Sequence, residues 1–188
     1  MNELGMKIYH ICIKLDSINP QYGFILSDLD SIEEILDKLG KQFNVEKSVT
    51  LDEYLLQLMA VHVLIISLFE YTLKIAGKNI KQSKMPDYIR NCDFLNELEK
   101  DWFIYLILIR HTIVHNFGHY DKYYDKNVRK HIKKLKIDIS DFKHSLSPLG
   151  IEDLRRCLNI VKKIFFLDIM SKHLTSDDID DIKKYYNW

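Results

Sequence analysis

Residues 50–77 read TLDEYLLQLMAVHVLIISLFEYTLKIAG and contain the longest apolar run of the chain. Thr50 and Glu53 have the spacing of a capping box, which is typical of a helix start. Gly77 stands where a glycine commonly ends a helix. The apolar run 54–69 is interrupted by polar residues, whereas a membrane span needs about 20 largely apolar residues. This stretch therefore predicts a central, buried helix and no membrane span.

The composition indicates a globular protein without a global electrostatic bias. The 188 residues include 27 basic and 27 acidic side chains, so no overall field attracts the chain to nucleic acid or anionic membrane. Any nucleic-acid site must therefore be local. Cys12, Cys92 and Cys157 form no CxxC pair, which favours free thiols in a reducing compartment. The N-terminus lacks the pattern of a signal peptide, and we expect a cytoplasmic location.

The remaining apolar spacing is helical almost throughout and predicts an all-α fold in a single domain, residues 1–188. Further helices are expected at 3–18, ending near Asn19-Pro20, and after Ser27. Another is expected from about Phe94, with Asp93 as N-cap, to Gly118. Two more are expected from Ser147-Pro148 to about Leu174 and after Ser176. Residues 120–147 are polar and irregular, with room for one short helix.

The segment most suggestive of chemistry is RHTIVHNFGHYD, residues 110–121, at the end of a predicted helix. Arg110 offers a planar, permanently charged guanidinium that suits phosphate oxygens. His115 titrates near neutrality and can therefore accept or donate a proton at physiological pH. The two residue types together indicate phosphodiester chemistry.

This segment resembles the signature of the HEPN superfamily, in which an Arg is followed after four to six residues by a His. The motif here is Arg110, His111 and His115, and residues 116–118, Asn-Phe-Gly, are similar to the tail that commonly follows the motif histidine. The resemblance covers approximately residues 50–174 and leaves the first 47 residues as additional N-terminal helices. His111 departs from the family, which most often has Asn or Asp there.

The resemblance implies an up-down helical bundle, a homodimer that brings two motifs into one cleft, and metal-independent cleavage of RNA without a cofactor. The 2′-hydroxyl would attack the neighbouring phosphate and leave a 2′,3′-cyclic phosphate. Arg110 and His115 would be the catalytic pair, with His111 and Asn116 orienting the phosphate or the imidazole. The implied role is that of a prokaryotic toxin or of abortive infection, a form of phage defence, with an antitoxin or defence-system protein as a possible partner.

Glu70, on the central helix, is a candidate to hold the motif arginine, because HEPN proteins often carry an acid there. Its carboxylate could bind the guanidinium in a bidentate manner. The alternative is a solvent-facing residue at the edge of the core.

A basic stretch, residues 122–136, follows the motif and includes two tyrosines. Lysine and arginine contact phosphates and tyrosine rings stack on unpaired bases, so an RNA strand could lead from here to His115. The candidate RNA-binding residues are Lys122, Tyr123, Tyr124, Lys126, Arg129 and Lys130. The alternative is a solvated loop.

Two other interpretations of the motif remain open. Arg and His near a helix C-terminus can simply interact with the helix dipole and its last carbonyls. His111 and His115 also have a spacing that zinc can bridge, but no obvious set of further ligands accompanies them. A rival to the enzyme is a non-catalytic HEPN-like module that binds RNA, a nucleotide or a protein partner.

Overall fold

The computed structural model describes residues 3–45, 51–116, 128–135 and 150–188, without the side chains of 43–45, 51, 52, 82, 111, 112, 115, 116, 129 and 130. The described residues form helices and connecting turns, with no strand among them, so the predicted all-α class is confirmed. The α-helices are α1 (Glu3–Ile18), α2 (Pro20–Val45), α3 (Leu51–Ile75), α4 (Met85–Arg90), α5 (Glu97–Asn116), α6 (Arg129–Leu135), α7 (Ile151–Ile164) and α8 (Ser176–Tyr186).

Helix α3 is the centre of the fold and packs against α2, α5 and α7. Ile65, Ile66 and Phe69 are fully buried. Phe69 meets Phe103 of α5 edge to face, with ring centroids 4.9 Å apart. Burial of one such side chain contributes roughly 1.5–3 kcal/mol to folding. The segment 53–75 is also long and apolar enough to cross a membrane, but its packing on three helices favours a core helix.

The end of α3 is fixed by the predicted glycine. Gly77 has a φ of 74°, a left-handed conformation that glycine adopts without strain. Lys78 donates its backbone N–H to the Leu73 carbonyl at 2.9 Å, and Gly77 donates to Lys74 at 3.0 Å. These two hydrogen bonds form a Schellman motif, which turns the chain sharply after α3. Thr50, the predicted N-cap, lies outside the described residues.

Helix α2 begins earlier than expected. The sequence predicts a start after Ser27, whereas the helix begins at Pro20, with a single residue between it and the end of α1. The side chain of Asn19 accepts the Gln21 N–H at 3.0 Å, and Pro20 stands at the first helical position. Proline is well suited to that position because its missing N–H would be unpaired there anyway. The Asn-Pro pair is therefore a helix start as well as a helix stop.

The predicted start of α5 was also wrong. Asn96 is the N-cap, not Asp93: its side chain accepts the Glu99 N–H at 2.9 Å, and Glu99 accepts the Asn96 N–H at 3.0 Å. This reciprocal capping box fixes the helix start at Glu97. The short helix α4, just upstream, was not predicted, because six residues are too few to show a helical period.

The long fifth helix expected to reach Leu174 is interrupted. Its regular part, α7, gives way to a π-helical segment at Phe165–Ile169 and a 3-10 turn at Ser171–His173. Ser147-Pro148, its expected start, lies outside the described residues. The expected last helix is present as α8, where Thr175 accepts the Asp178 N–H at 3.1 Å and forms a capping box.

The N-terminal helices are part of the main core. Helix α2 packs on both α3 and α7, while α1 packs on α2 and α8. Ile32 and Leu36 of α2 are almost completely buried and belong to the same apolar cluster as Phe69. The described residues among the first 47, which lie outside the region of resemblance, therefore help to build the bundle that holds α3 and α5.

Candidate functional site

Helix α5 carries the motif on its last two turns and is regular from Glu97 to Asn116. Arg110 and His115 are five residues apart, which on an α-helix is about 7.5 Å along the axis and about 140° around it. The two residues therefore lie on different faces of the helix. One copy of α5 cannot present both residues to the same phosphate from a single face.

Arg110 is fixed by Glu70, the residue predicted to hold it. The Arg110 Nη1 donates to the Glu70 Oε1 at 2.7 Å, across the contact between α3 and α5. The Arg110 side chain is 19% exposed and that of Glu70 is 28% exposed. The predicted contact is thus present, through one described hydrogen bond instead of the expected bidentate pair. Arg110 Nε is buried and finds no hydrogen-bond acceptor among the described residues, so the guanidinium retains an unused donor.

The contact between α3 and α5 continues inward to His62, which is completely buried. Its Nε2 donates to the Leu106 carbonyl at 2.8 Å. Burial lowers the pKa of His62 to about 4, and the nearby charge of Arg110 acts in the same direction. The ring is therefore neutral at physiological pH. His62 is a hydrogen-bonded core residue.

The other motif side chains fall outside the described part of the structure. His111, His115 and Asn116 lie on α5, but their side chains are not described. Among the described side chains, no three His, Cys, Asp or Glu residues are grouped so that they could hold a metal ion.

The basic stretch is described only in part. Lys122, Tyr123, Tyr124 and Lys126 lie outside the described residues, and Arg129 and Lys130 begin α6 without described side chains. Residues 129–135 form a helix, so this part of the stretch is not a loop.

Helix α6 is docked on α5 through buried residues. Val128, His131 and Ile132 are buried, and Lys134 forms an ion pair with Asp101 of α5 at 2.5 Å. The burial of His131 removes it from a surface available to RNA. At least one lysine of the stretch therefore has a structural partner.

A polar cluster that the sequence did not predict lies at the π-helical segment. Asp168 accepts hydrogen bonds from both Lys78 and the Tyr88 hydroxyl. Burial and the adjacent carboxylate raise the pKa of Tyr88 well above its usual value. A short π-helical segment often occurs at a functional position. Here it brings Asp168 to the turn after α3.

None of the cysteines is suited to act as a nucleophile. All three thiols are free, and Cys92 and Cys157 are buried. Burial raises the pKa of Cys12 and of Cys92 to about 11. The reactive form is the thiolate, which is scarce at such pKa values.

Lysines next to Glu70 were also missed by the sequence analysis. Lys74, Lys78 and Lys81 line a groove together with Glu70. Their spacing of four and three residues is the signal that could have identified them, but a helix end and a glycine turn fall within it. No family model, curated protein or solved structure matches this chain.

Proposed function

We propose that this protein is a metal-independent endoribonuclease of the HEPN type, with Arg110 and His115 as its catalytic pair. The observation that supports this most is the ion pair between Arg110 and Glu70. A carboxylate that binds Nη1 limits the orientations of the guanidinium, the group that would meet phosphate oxygens. The arginine is thus preorganised five residues before a histidine on the same helix.

The reaction requires no external nucleophile. The ribose 2′-oxygen attacks the adjacent phosphorus and loses its proton, and the bond from phosphorus to the 5′-oxygen breaks as that oxygen takes up a proton. The products are a 2′,3′-cyclic phosphate and a 5′-hydroxyl. His115 accepts or donates one of these protons, a role worth roughly 10²–10⁴-fold in rate. Arg110 stabilises the charge that develops on the phosphoryl oxygens.

The proposal includes a homodimer. Arg110 and His115 stand about 140° apart around α5, so one helix cannot present both to the same phosphate. A shared cleft therefore needs a second copy of that helix. Two copies supply two histidines, so that one can act as base and the other as acid. The biological role we propose is that of a prokaryotic toxin or anti-phage protein, and a protein antitoxin is the partner such an activity would require.

One observation favours the rival, a non-catalytic module of the same fold. Arg110 is mostly buried and already engaged with Glu70. In the rival interpretation, an arginine held in this way has the purely structural role of joining α3 to α5. The rival predicts binding of RNA, a nucleotide or a protein without cleavage.

The test is incubation of the purified protein with total RNA in EDTA, followed by analysis of the fragment ends. We expect cleavage that leaves 2′,3′-cyclic phosphate and that the Arg110→Ala/His115→Ala double variant lacks. RNA with 2′-O-methyl riboses should resist cleavage, because the nucleophile is blocked. Cleavage that requires added metal, or fragments that end in 3′-hydroxyl, would overturn the proposal.

A further inference from the structure

A groove adjoins the ion pair between Arg110 and Glu70. It has a volume of about 360 Å³ and is formed by the last turn of α3, the following turn and the start of α4. Glu70 forms its edge next to Arg110, so the groove and the candidate catalytic arginine share one carboxylate. The lining residues are Glu70, Lys74, Lys78, Asn79, Ile80, Lys81 and Met85.

The charge around this groove is positive, although the whole chain is neutral. Arg110 neutralises Glu70, and Asp168 neutralises Lys78. Lys74 and Lys81 are exposed and have no ion-pair partner among the described residues. Two lysines of the groove that Glu70 lines are therefore available to an anionic ligand.

The connection between α3 and α4, which carries Lys81, is held in place. Gly77 closes α3 through the Schellman hydrogen bonds, and Lys78 and Tyr88 both bind Asp168 of the π-helical segment. Lys78 Nζ also lies 5.0 Å from the centre of the Tyr88 ring. Lys74 is thus presented from the last turn of α3 and Lys81 from the fixed connection that follows it, and a fixed backbone reduces the entropy lost when a ligand binds.

We propose that this groove binds the phosphate backbone of a single RNA strand and leads it to Arg110. The inference rests on the proposed function for its ligand, and it adds a path distinct from residues 122–136. Lys74 and Lys81 would contact phosphates, while the partly exposed Ile80 offers an apolar contact for a sugar or base. The contacts are to the backbone, so the groove contributes affinity and orientation with little sequence preference.

The test measures binding separately from cleavage. A fluorescent single-stranded RNA with 2′-O-methyl riboses is titrated in EDTA at several KCl concentrations, and anisotropy gives the association constant. Each lost phosphate contact reduces the slope of log K against log salt by about 0.7 for a single strand. Lys74→Gln/Lys81→Gln should therefore reduce the slope by about 1.4 and weaken binding about 25-fold at 0.1 M salt.

Two controls make the result specific. Lys74→Arg/Lys81→Arg retains the charge and should bind like the parent. Lys41→Gln/Lys184→Gln removes two exposed lysines outside the groove and should change neither slope nor affinity appreciably. Thermal melts establish that all variants are folded.

The outcomes separate this inference from the proposed function. The expected loss in Lys74→Gln/Lys81→Gln supports the groove even if the parent cleaves no RNA, in which case only the nuclease proposal fails. Equal binding by this variant and the Lys41→Gln/Lys184→Gln control would overturn the proposed role of the groove in RNA binding and leave the nuclease proposal unaffected. Failure of the parent to bind the RNA would also overturn it.

Discussion

Two clusters of charged residues in this bundle differ in how completely their groups are paired. At the C-terminal cluster, Lys162 binds Glu33 at 2.5 Å and lies 5.0 Å from the Tyr186 ring centre, with its side chain only 5% exposed. Trp188 donates its Nε1 to Asn159 at 2.7 Å. At the Arg110 corner, defined as Arg110, Glu70, Lys74 and Lys81, the lysines lack partners among the described residues and Arg110 Nε lacks an acceptor.

The difference distinguishes charged groups that stabilise the fold from charged groups that remain available to bind a ligand. The lysine of the C-terminal cluster has both a carboxylate and an aromatic face, and together these hold α7, α2 and the chain end. The Arg110 corner leaves Lys74 and Lys81 exposed and without an ion-pair partner among the described residues, in a groove that an anionic ligand can enter. We therefore expect substitutions at the Arg110 corner to reduce mainly activity and substitutions in the C-terminal cluster to reduce mainly stability.

The largest expected effect in this comparison is on cleavage, at Glu70. Glu70→Gln removes the charge that orients Arg110, and displacement of a positioning group can reduce the rate by about 10–100-fold. Glu70 acts through Arg110, so the loss should appear mainly in kcat. Glu70→Asp should restore part of the rate. Single-turnover cleavage kinetics measure both, and a parental rate for Glu70→Gln would show that the ion pair does not serve catalysis.

The next effect concerns stability against pH at His62. Its folded-state pKa of about 4 lies below the ordinary histidine value of 6.5, so between these pH values the unfolded chain binds a proton that the folded protein does not. Stability is therefore lost as the pH falls from about 6.5 towards 4. The loss between pH 7 and pH 5 should be about 2 kcal/mol.

His62→Gln keeps a donor for the Leu106 carbonyl but does not titrate. Urea unfolding at pH 7 and pH 5 should show a smaller loss for this variant than for the parent. If both lose the same stability, the histidine is not the group responsible.

The smallest expected effect is on stability in the C-terminal cluster. Glu33→Gln leaves the buried Lys162 without its counterion and should cost about 1–2 kcal/mol, because Glu33 itself is half exposed. Cleavage should be unchanged. Glu34→Gln is the matched control, since Glu34 and its partner Lys38 are both largely exposed, 3.8 Å apart. Urea unfolding distinguishes the two, and equal stability would remove the contrast between the clusters.

The sequence predicted the parts of the fold that depend on long periodic segments. The central helix and its Gly77 stop follow from a single apolar run and a left-handed glycine. Boundaries that depend on side-chain capping were harder to predict. Asp93 and Asn96 are both suitable N-caps, and Glu99, three residues after Asn96, is the signal in the sequence that could have decided between them.

At the candidate site, the sequence identified Arg110 and Glu70 but not the groove beside them. The pair could be predicted because the resemblance suggested an acid on the central helix. The groove is formed by a turn whose position depends on Asp168, 90 residues after Lys78. No local pattern shows that contact, and the π-helical segment that permits it has no recognised signature in the sequence.

The most direct test of the account is RNA cleavage in EDTA by Arg110→Ala and His115→Ala, assayed separately and as a mixture, with His10→Ala as a control. We predict that each variant alone is inactive, that His10→Ala is fully active, and that mixed dimers regain part of the parental rate. Such recovery would follow from a cleft that takes residues from both copies. Parental activity in either Arg110→Ala or His115→Ala alone would contradict the assignment of this pair as the catalytic residues.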